Sequence, residues 1–295
     1  LRDVERKGRE EANKGLDSTI LTFFLGGISL VYVAYLFSQL AYFFSGFRGF
    51  LPEGFTFAEY ARRGFFELTV VSVINIVIVI LGTAFCRKQE GKLPLGVKLL
   101  SLFLCLFSLV LAATELAKMK LYMDNYGLTQ LRILTTLFMV FLAVVFLALI
   151  VHIFLRKFPY MKIAVIVGSL MLVSLNFFSV DRLVAEYNVW AYQNHVLPSV
   201  DVYTITELGD AAVPSLLTLA QDTDPKVAEA AKLELYDRWT QLHENQWNYA
   251  TQSYAVGEVL PYELRSFNLT SYRARQLLLE NEDLYITVQK TETYR

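Results

Sequence analysis

The sequence predicts an all-α integral membrane protein, with about five transmembrane helices followed by a small helical extramembrane domain at the carboxy terminus. Three observations carry that reading. Of 295 residues, 55% are hydrophobic and 19% charged, with a mean hydropathy of +0.40, against roughly 25% charged in soluble domains. The charge deficit is concentrated in the first two-thirds of the chain. Five runs there are long enough to cross hydrocarbon, which takes about 20 apolar residues per helix. A soluble helix keeps a polar face, and ILTFFLGGISLVYVAYLF, from Ile20, has none.

Residues 1–18 form a charged juxtamembrane segment, too charged for a signal peptide. The start at Leu1 rather than Met predicts further residues, and further spans, upstream. The membrane domain, 19–180, places spans near 19–44, 68–86, 97–117, 133–155 and 161–180. Charge and turn residues bound each, as RKQEGKLPLG does after the second and LRKFP after the fourth. Lys and Arg near span ends set orientation. Twelve fall on the amino-terminal side of the membrane and six on the other, which puts the former in the cytoplasm and the tail outside. That margin rests on the amino-terminal segment, without which the count is seven against six.

The second span opens unusually. FTFAEYARRGFFELTVVSVIN, from Phe55, sets Glu59, Arg62, Arg63 and Glu67 directly against an apolar run. Thr56 and Glu59 make a T-x-x-E capping box, so an interfacial helix start is expected near 56–67. Glu59, Arg63 and Glu67 then share one face at i, i+4 and i+8. Near headgroups such charges escape the cost of about 2.5–3.5 kcal/mol for an ionised side chain at the bilayer centre. Asn75 continues that face roughly 12 Å deeper, where polar groups face other helices. With this topology Gln39, Glu115, Arg132, Asn176 and Asp181 sit near the outer ends of their spans. Together with the Glu59–Glu67 group they define a candidate polar cluster at the outer interface. An ion-pair network that fixes helix register is the leading reading of it, ahead of a headgroup site or a transport route.

From Asp181 the tail, 181–295, turns polar, with seventeen Asp and Glu against nine Lys and Arg. Val213, Leu216, Leu217 and Ala220 give one helical stripe. Asp224-Pro225 starts a second helix, as N-cap and first-turn proline, with Val227, Ala231, Leu235 and Trp239 down one face. The pair resembles one HEAT-type hairpin. Without a second copy it needs further packing, from Trp247, Tyr249, Tyr254 and a helix around Tyr272–Leu279. The last residues, ITVQKTETYR, are expected to be loose, and Asn268-Leu269-Thr270 matches a sequon of the kind chance supplies.

Chemistry-bearing patterns are sparse. Cys86 and Cys105 lie in apolar runs, which argues against a disulfide framework. Cys86 beside Arg87-Lys88 fits palmitoylation, with an inert buried thiol the stronger reading. His152 has no carboxylate or second histidine at ligand spacing, and HENQW around His243 matches no metal motif. Phosphate loops, zinc spacings and basic-aromatic motifs are lacking, and the net charge is −1, so no cofactor, metal or nucleic acid is expected.

EYARRGFFEL (Glu59–Leu68), YGLTQLR (Tyr126–Arg132), LNFFSVDRLVAEYNVWAY (Leu175–Tyr192) and DAAVPSLLTLA (Asp210–Ala220) resemble a family of polytopic bacterial membrane proteins. It is named only as a domain of unknown function and is widespread in Gram-positive bacteria. The resemblance implies a bacterial cytoplasmic membrane and supplies no catalytic residue. It adds weight to Glu59, Arg63, Glu67, Tyr126, Thr129, Arg132, Asn176 and Asn188 as motif positions.

A non-enzymatic sensory, scaffolding or accessory component with a partner-binding tail is the first functional expectation. A membrane enzyme or binder acting on a lipid headgroup or lipid-linked substrate at the outer leaflet is the second, with Arg62, Arg63 and Arg132 holding an anion and Glu67 or Glu115 as acid or base. A transporter subunit is the third. The topology is tested by single cysteines at Ser199 and Thr251, in a background lacking Cys86 and Cys105. An impermeant thiol reagent is expected to label both on intact cells; labelling only after lysis would invert the orientation.

Overall fold

The computed structural model describes residues 15–48, 54, 56–87, 93–248, 253–261 and 268–286, with side chains except at 39–48, 57, 244–248 and 253–256. Several expectations therefore fall outside the described residues: those on the basic residues up to Lys14, on the side chains of Gln39, Trp247 and Tyr254, on Tyr249 and on the chain after Ile286. Among the described residues, five helices are long and apolar enough to cross a membrane. They are α1 (Ser18–Arg48), α2 (Phe57–Phe85), α3 (Leu95–Tyr126), α4 (Gln130–Phe154) and α5 (Tyr160–Phe177). The chain is an all-α membrane protein in which a small two-stranded ladder is the described exception.

The chain divides into two compact units. One comprises residues 1–125 and 131–174; the other comprises 126–130 and 175–295. Within the first, α3 is buried along Val97, Ser101, Leu104, Ser108, Leu111, Glu115 and Lys118, a three-and-four spacing that keeps one stripe against its neighbours. Helix α2 answers with Tyr60, Gly64, Leu68, Ser72, Asn75 and Val79. Two apolar clusters result, one around Leu25, Val79, Leu104 and Phe146, the other around Leu68, Phe107, Leu111 and Met139. Between membrane helices such contacts act through close packing, because lipid is as apolar as leucine. At one end the chain before α1 meets the chain after α2: Leu16 N–H donates to Phe85 C=O at 2.9 Å and Arg87 N–H to Leu16 C=O at 3.0 Å. Cys86 and Cys105 are both buried. Among the described residues, none of α5 is buried.

The second unit holds α6 (Val180–Gln193), α7 (Val202–Thr206), a 3₁₀ turn (Gly209–Ala212), α8 (Val213–Leu219), α9 (Pro225–Gln241) and α10 (Leu269–Glu280). Asp224 caps α9, its carboxylate accepting from Lys226 N–H, with Pro225 in the first turn. Ala185, Val189, Ile205, Val213, Leu216, Leu219, Leu235 and Leu278 close one apolar core. Tyr285 is buried in it, its hydroxyl donating to Leu278 C=O, and burial pushes its phenol well above the usual range. The tail departs from an entirely helical reading at HENQWN, where β1 (His243–Asn248) pairs antiparallel with β2 (Ser253–Val259), with an irregularity between His243 and Asn245. Pairing between strands leaves no 3.6-residue signature, so helical periodicity does not report it.

A polar clamp completes this unit. The Asn188 side chain accepts from Leu128 N–H at 2.7 Å and donates to Leu128 C=O at 2.9 Å. Gly127, at φ +74, lies against it, and a Cβ there would fall 2.5 Å from Asn188 Oδ1. YGLTQLR and the NVWAY stretch thus meet through one amide group. Both Gly127→Ala and Asn188→Ala are expected to lower the Tm of the full chain in detergent. Each costs about 1–3 kcal/mol, by left-handed backbone strain and by stranding two backbone groups respectively. The double variant is expected to lose less than the sum, because both changes strike one contact.

Candidate functional site

Polar side chains gather on α1–α4 within the first unit, in layers along the helix axes. Deepest is a chain from α1 to α3: Tyr32 hydroxyl donates to Asn75 Oδ1 at 2.9 Å, Asn75 Nδ2 to Ser108 Oγ at 2.8 Å, and Ser108 to Leu104 C=O at 2.9 Å. Asn75 is fully buried, between the levels of Leu68 and Val79 on α2. Tyr32 also stacks on Phe107, ring centroids 4.6 Å apart.

Toward the amino terminus of α2 lies the ionic layer. Arg63 Nε reaches Glu67 Oε1 at 3.2 Å, and Tyr35 hydroxyl donates to Glu67 Oε2 at 3.3 Å. Glu115 and Lys118, one turn apart on α3, are 4% and 1% exposed and pair at 2.6 Å. The Lys118 ammonium lies 4.9 Å from the ring centre of buried Tyr60. Gly64 makes room for this pair: a Cβ at that position would overlap the Glu115 carboxylate. Glu115 Oε2 has no hydrogen-bond partner among the described residues. Nearby, Arg132 lies 4.0 Å over the Tyr122 ring.

The sequence-selected residues separate accordingly. Glu67 and Arg63 join each other and Tyr35, while Glu115 joins Lys118. Glu59 is exposed and closes the capping box, with Thr56 side chain accepting from Glu59 N–H and Glu59 accepting from Thr56 N–H. Arg62 is exposed on the same turn. Asn176 and Asp181 belong to the second unit, where Asp181 accepts from Gln130. Lys118 was missed, counted only as a flanking charge. The stripe Leu104, Ser108, Leu111, Glu115 and Lys118 was the available signal, because it carries both charges onto the buried face. His152 has a local role: its Nδ1 lies 3.0 Å from Phe158 C=O, and its ring packs on Tyr160. Among the described residues no three His, Cys, Asp or Glu side chains gather as a metal site would require.

Chemically, the ionic layer has a buried part, an ion pair with one spare acceptor oxygen, and an exposed part, an Arg–Glu pair held by a tyrosine. Together with five apolar helices and a separately cored helical unit, this describes a polytopic helical membrane protein with a carboxy-terminal domain. Residues 1–219 match the family described as Domain of unknown function (DUF4153), and the chain belongs to that family. The match takes in α1–α5 and ends with α8. No match is found to a curated protein or to a solved structure.

Removing one member of a buried ion pair strands the other at a cost of about 3–5 kcal/mol. Lys118→Met is therefore expected to destabilise the full chain strongly in a detergent unfolding assay. Glu115→Leu together with Lys118→Met is expected to recover most of the loss; a double variant as unstable as the single would show that the pair itself is required.

Proposed function

We propose that this protein is a non-enzymatic component of a bacterial cytoplasmic membrane, sensory, scaffolding or accessory, that presents its carboxy-terminal domain to a protein partner outside the cell. The observation that carries this reading is the core around Leu216, Leu219, Leu235 and Leu278. It gives the helices of the second unit an apolar core of their own instead of leaving them a tether. The helix pair α8–α9, similar to a HEAT-type hairpin, leaves Lys226 and Glu229 exposed on its outer side, a surface suited to protein contact. In the membrane unit, the Glu115–Lys118 pair packed against Gly64 supports a role in helix register.

A second reading is a site for a lipid headgroup at the outer ends of α1–α4, with Arg63 and Arg132 as anion ligands. The spare oxygen of Glu115 favours it, because a buried acceptor without a hydrogen bond gains from any donor a ligand brings.

One purification from native membranes separates the two, scoring bound proteins and bound lipids together. A protein partner is expected to co-purify with the parent chain and to be lost on Lys226→Glu with Glu229→Lys. Under the headgroup reading, Arg63→Ala instead abolishes a co-purifying lipid while the bundle keeps its Tm. A chain that purifies alone and tolerates the tail reversals would overturn the first reading. Equal lipid retention in Arg63→Ala and parent would overturn the second.

A further inference from the structure

The second unit carries a groove of about 570 Å³ with walls from the end of α5, the start of α6, the 3₁₀ turn, α8 and α10. Its rim is apolar, with Phe177 84% and Phe178 72% exposed and Leu183 and Leu269 each about half exposed. Four large apolar side chains bare around one cleft mark a surface made to be covered.

What covers it follows from the length of α5. That helix has 18 residues, about 27 Å at 1.5 Å per residue, against a hydrocarbon core of about 30 Å. No slack remains, so both of its ends must lie close to the headgroups. Phe177 is its last residue, and the groove opens there. On α6, Leu183, Tyr187 and Trp190 follow at i, i+4 and i+7 on one face. Trp190 is half exposed, and its ring centre is 5.9 Å from that of Tyr187. Tyrosine and tryptophan favour the membrane–water boundary, where one part of the ring is wet and the rest apolar.

The groove's charges choose among lipids. Arg182 is paired with Glu186 at 2.6 Å, and Asp210 faces Arg238 at 3.7 Å. Arg273 lines the groove, is exposed and has no ion-pair partner among the described residues. We propose that this groove seats an anionic phospholipid of the surrounding bilayer, its chains against Phe177, Phe178, Leu183 and Leu269 and its phosphodiester at Arg273. This is independent of the protein-partner reading. It would hold one face of the carboxy-terminal domain on the bilayer and leave α9 for a partner.

The test uses the purified full chain in nanodiscs of phosphatidylcholine with a minor fraction of phosphatidylglycerol. p-Benzoylphenylalanine replaces Phe178 or Leu269, with Tyr203, exposed on α7 and not lining the groove, as the control position. After illumination, mass spectrometry is expected to find lipid adducts at 178 and 269 but not at 203, with phosphatidylglycerol enriched over its share of the bilayer. Arg273→Gln should lower that enrichment about fivefold, as expected for one cation at an anionic surface, with the adducts themselves retained. Adducts without phosphatidylglycerol enrichment, or with enrichment that Arg273→Gln leaves unchanged, would overturn the headgroup assignment. Adducts no more frequent at 178 and 269 than at 203 would overturn the lipid seat altogether. Cross-links to a second copy of the chain would instead make the groove an interface between copies. A matching Tm for each variant establishes that the domain is folded.

Discussion

A carboxylate and an ammonium cannot enter a bundle of apolar helices independently. Taken singly, each would lose its hydration with nothing to replace it, so Glu115 and Lys118 must travel together on one face of α3. The three-residue spacing supplies that, and its consequences spread. Their bulk requires a residue without a side chain on the facing helix, which Gly64 provides, and a ring beneath the ammonium, which Tyr60 provides. Once α2 and α3 are set in this register, Asn75 meets Ser108 a few turns along, and Tyr32 of α1 completes the chain. Each of these polar contacts fixes a rotation or a translation that apolar packing alone would leave free. This is specificity of position more than depth of stability, because an ion pair exchanged for packed apolar side chains is often no loss.

The second unit solves a different problem with the same economy. The turn after α3 has a glycine in the left-handed region and exposes a backbone N–H and C=O at Leu128. Asn188 answers both with one side-chain amide. Aspartate could accept from the N–H but not donate to the carbonyl; leucine could do neither. Asparagine is thus set by the geometry of that turn, while Ala185 and Val189 beside it are set by the core.

Local chemistry was readable from the sequence, and long-range chemistry was not. The Thr56–Glu59 box, the Asp224-Pro225 helix start and the five apolar runs all depend on residues within a few positions of one another. Asn75 was readable as an inward-facing group because the face carrying Glu67 leads to it, although nothing in the sequence names Tyr32 or Ser108 as its partners. Lys118 escaped because charges near a span end are ordinarily counted as flanks, and only the buried stripe of α3 distinguishes it. Of the polar residues grouped at the outer ends of the spans, Arg63 pairs with Glu67 and Glu115 with Lys118, Glu59 and Arg62 are exposed, and Asn176 and Asp181 belong to the carboxy-terminal unit. The β1–β2 ladder was invisible to helical periodicity because its partners are matched between two strands and not along one helix.

The sequence separation of the contacts also sets an order of construction. The Glu115–Lys118 pair is complete within one turn of α3 and can form as soon as that helix is made. The bridge of Leu16 to Phe85 and Arg87 can close once two helices have emerged. The turn at Gly127–Leu128 waits for a residue sixty positions later, so during synthesis α3 and α4 are joined by an unlocked turn until α5 has been inserted and α6 has left the ribosome. The chain is therefore assembled from its amino-terminal side, and Asn188 closes a turn laid down much earlier.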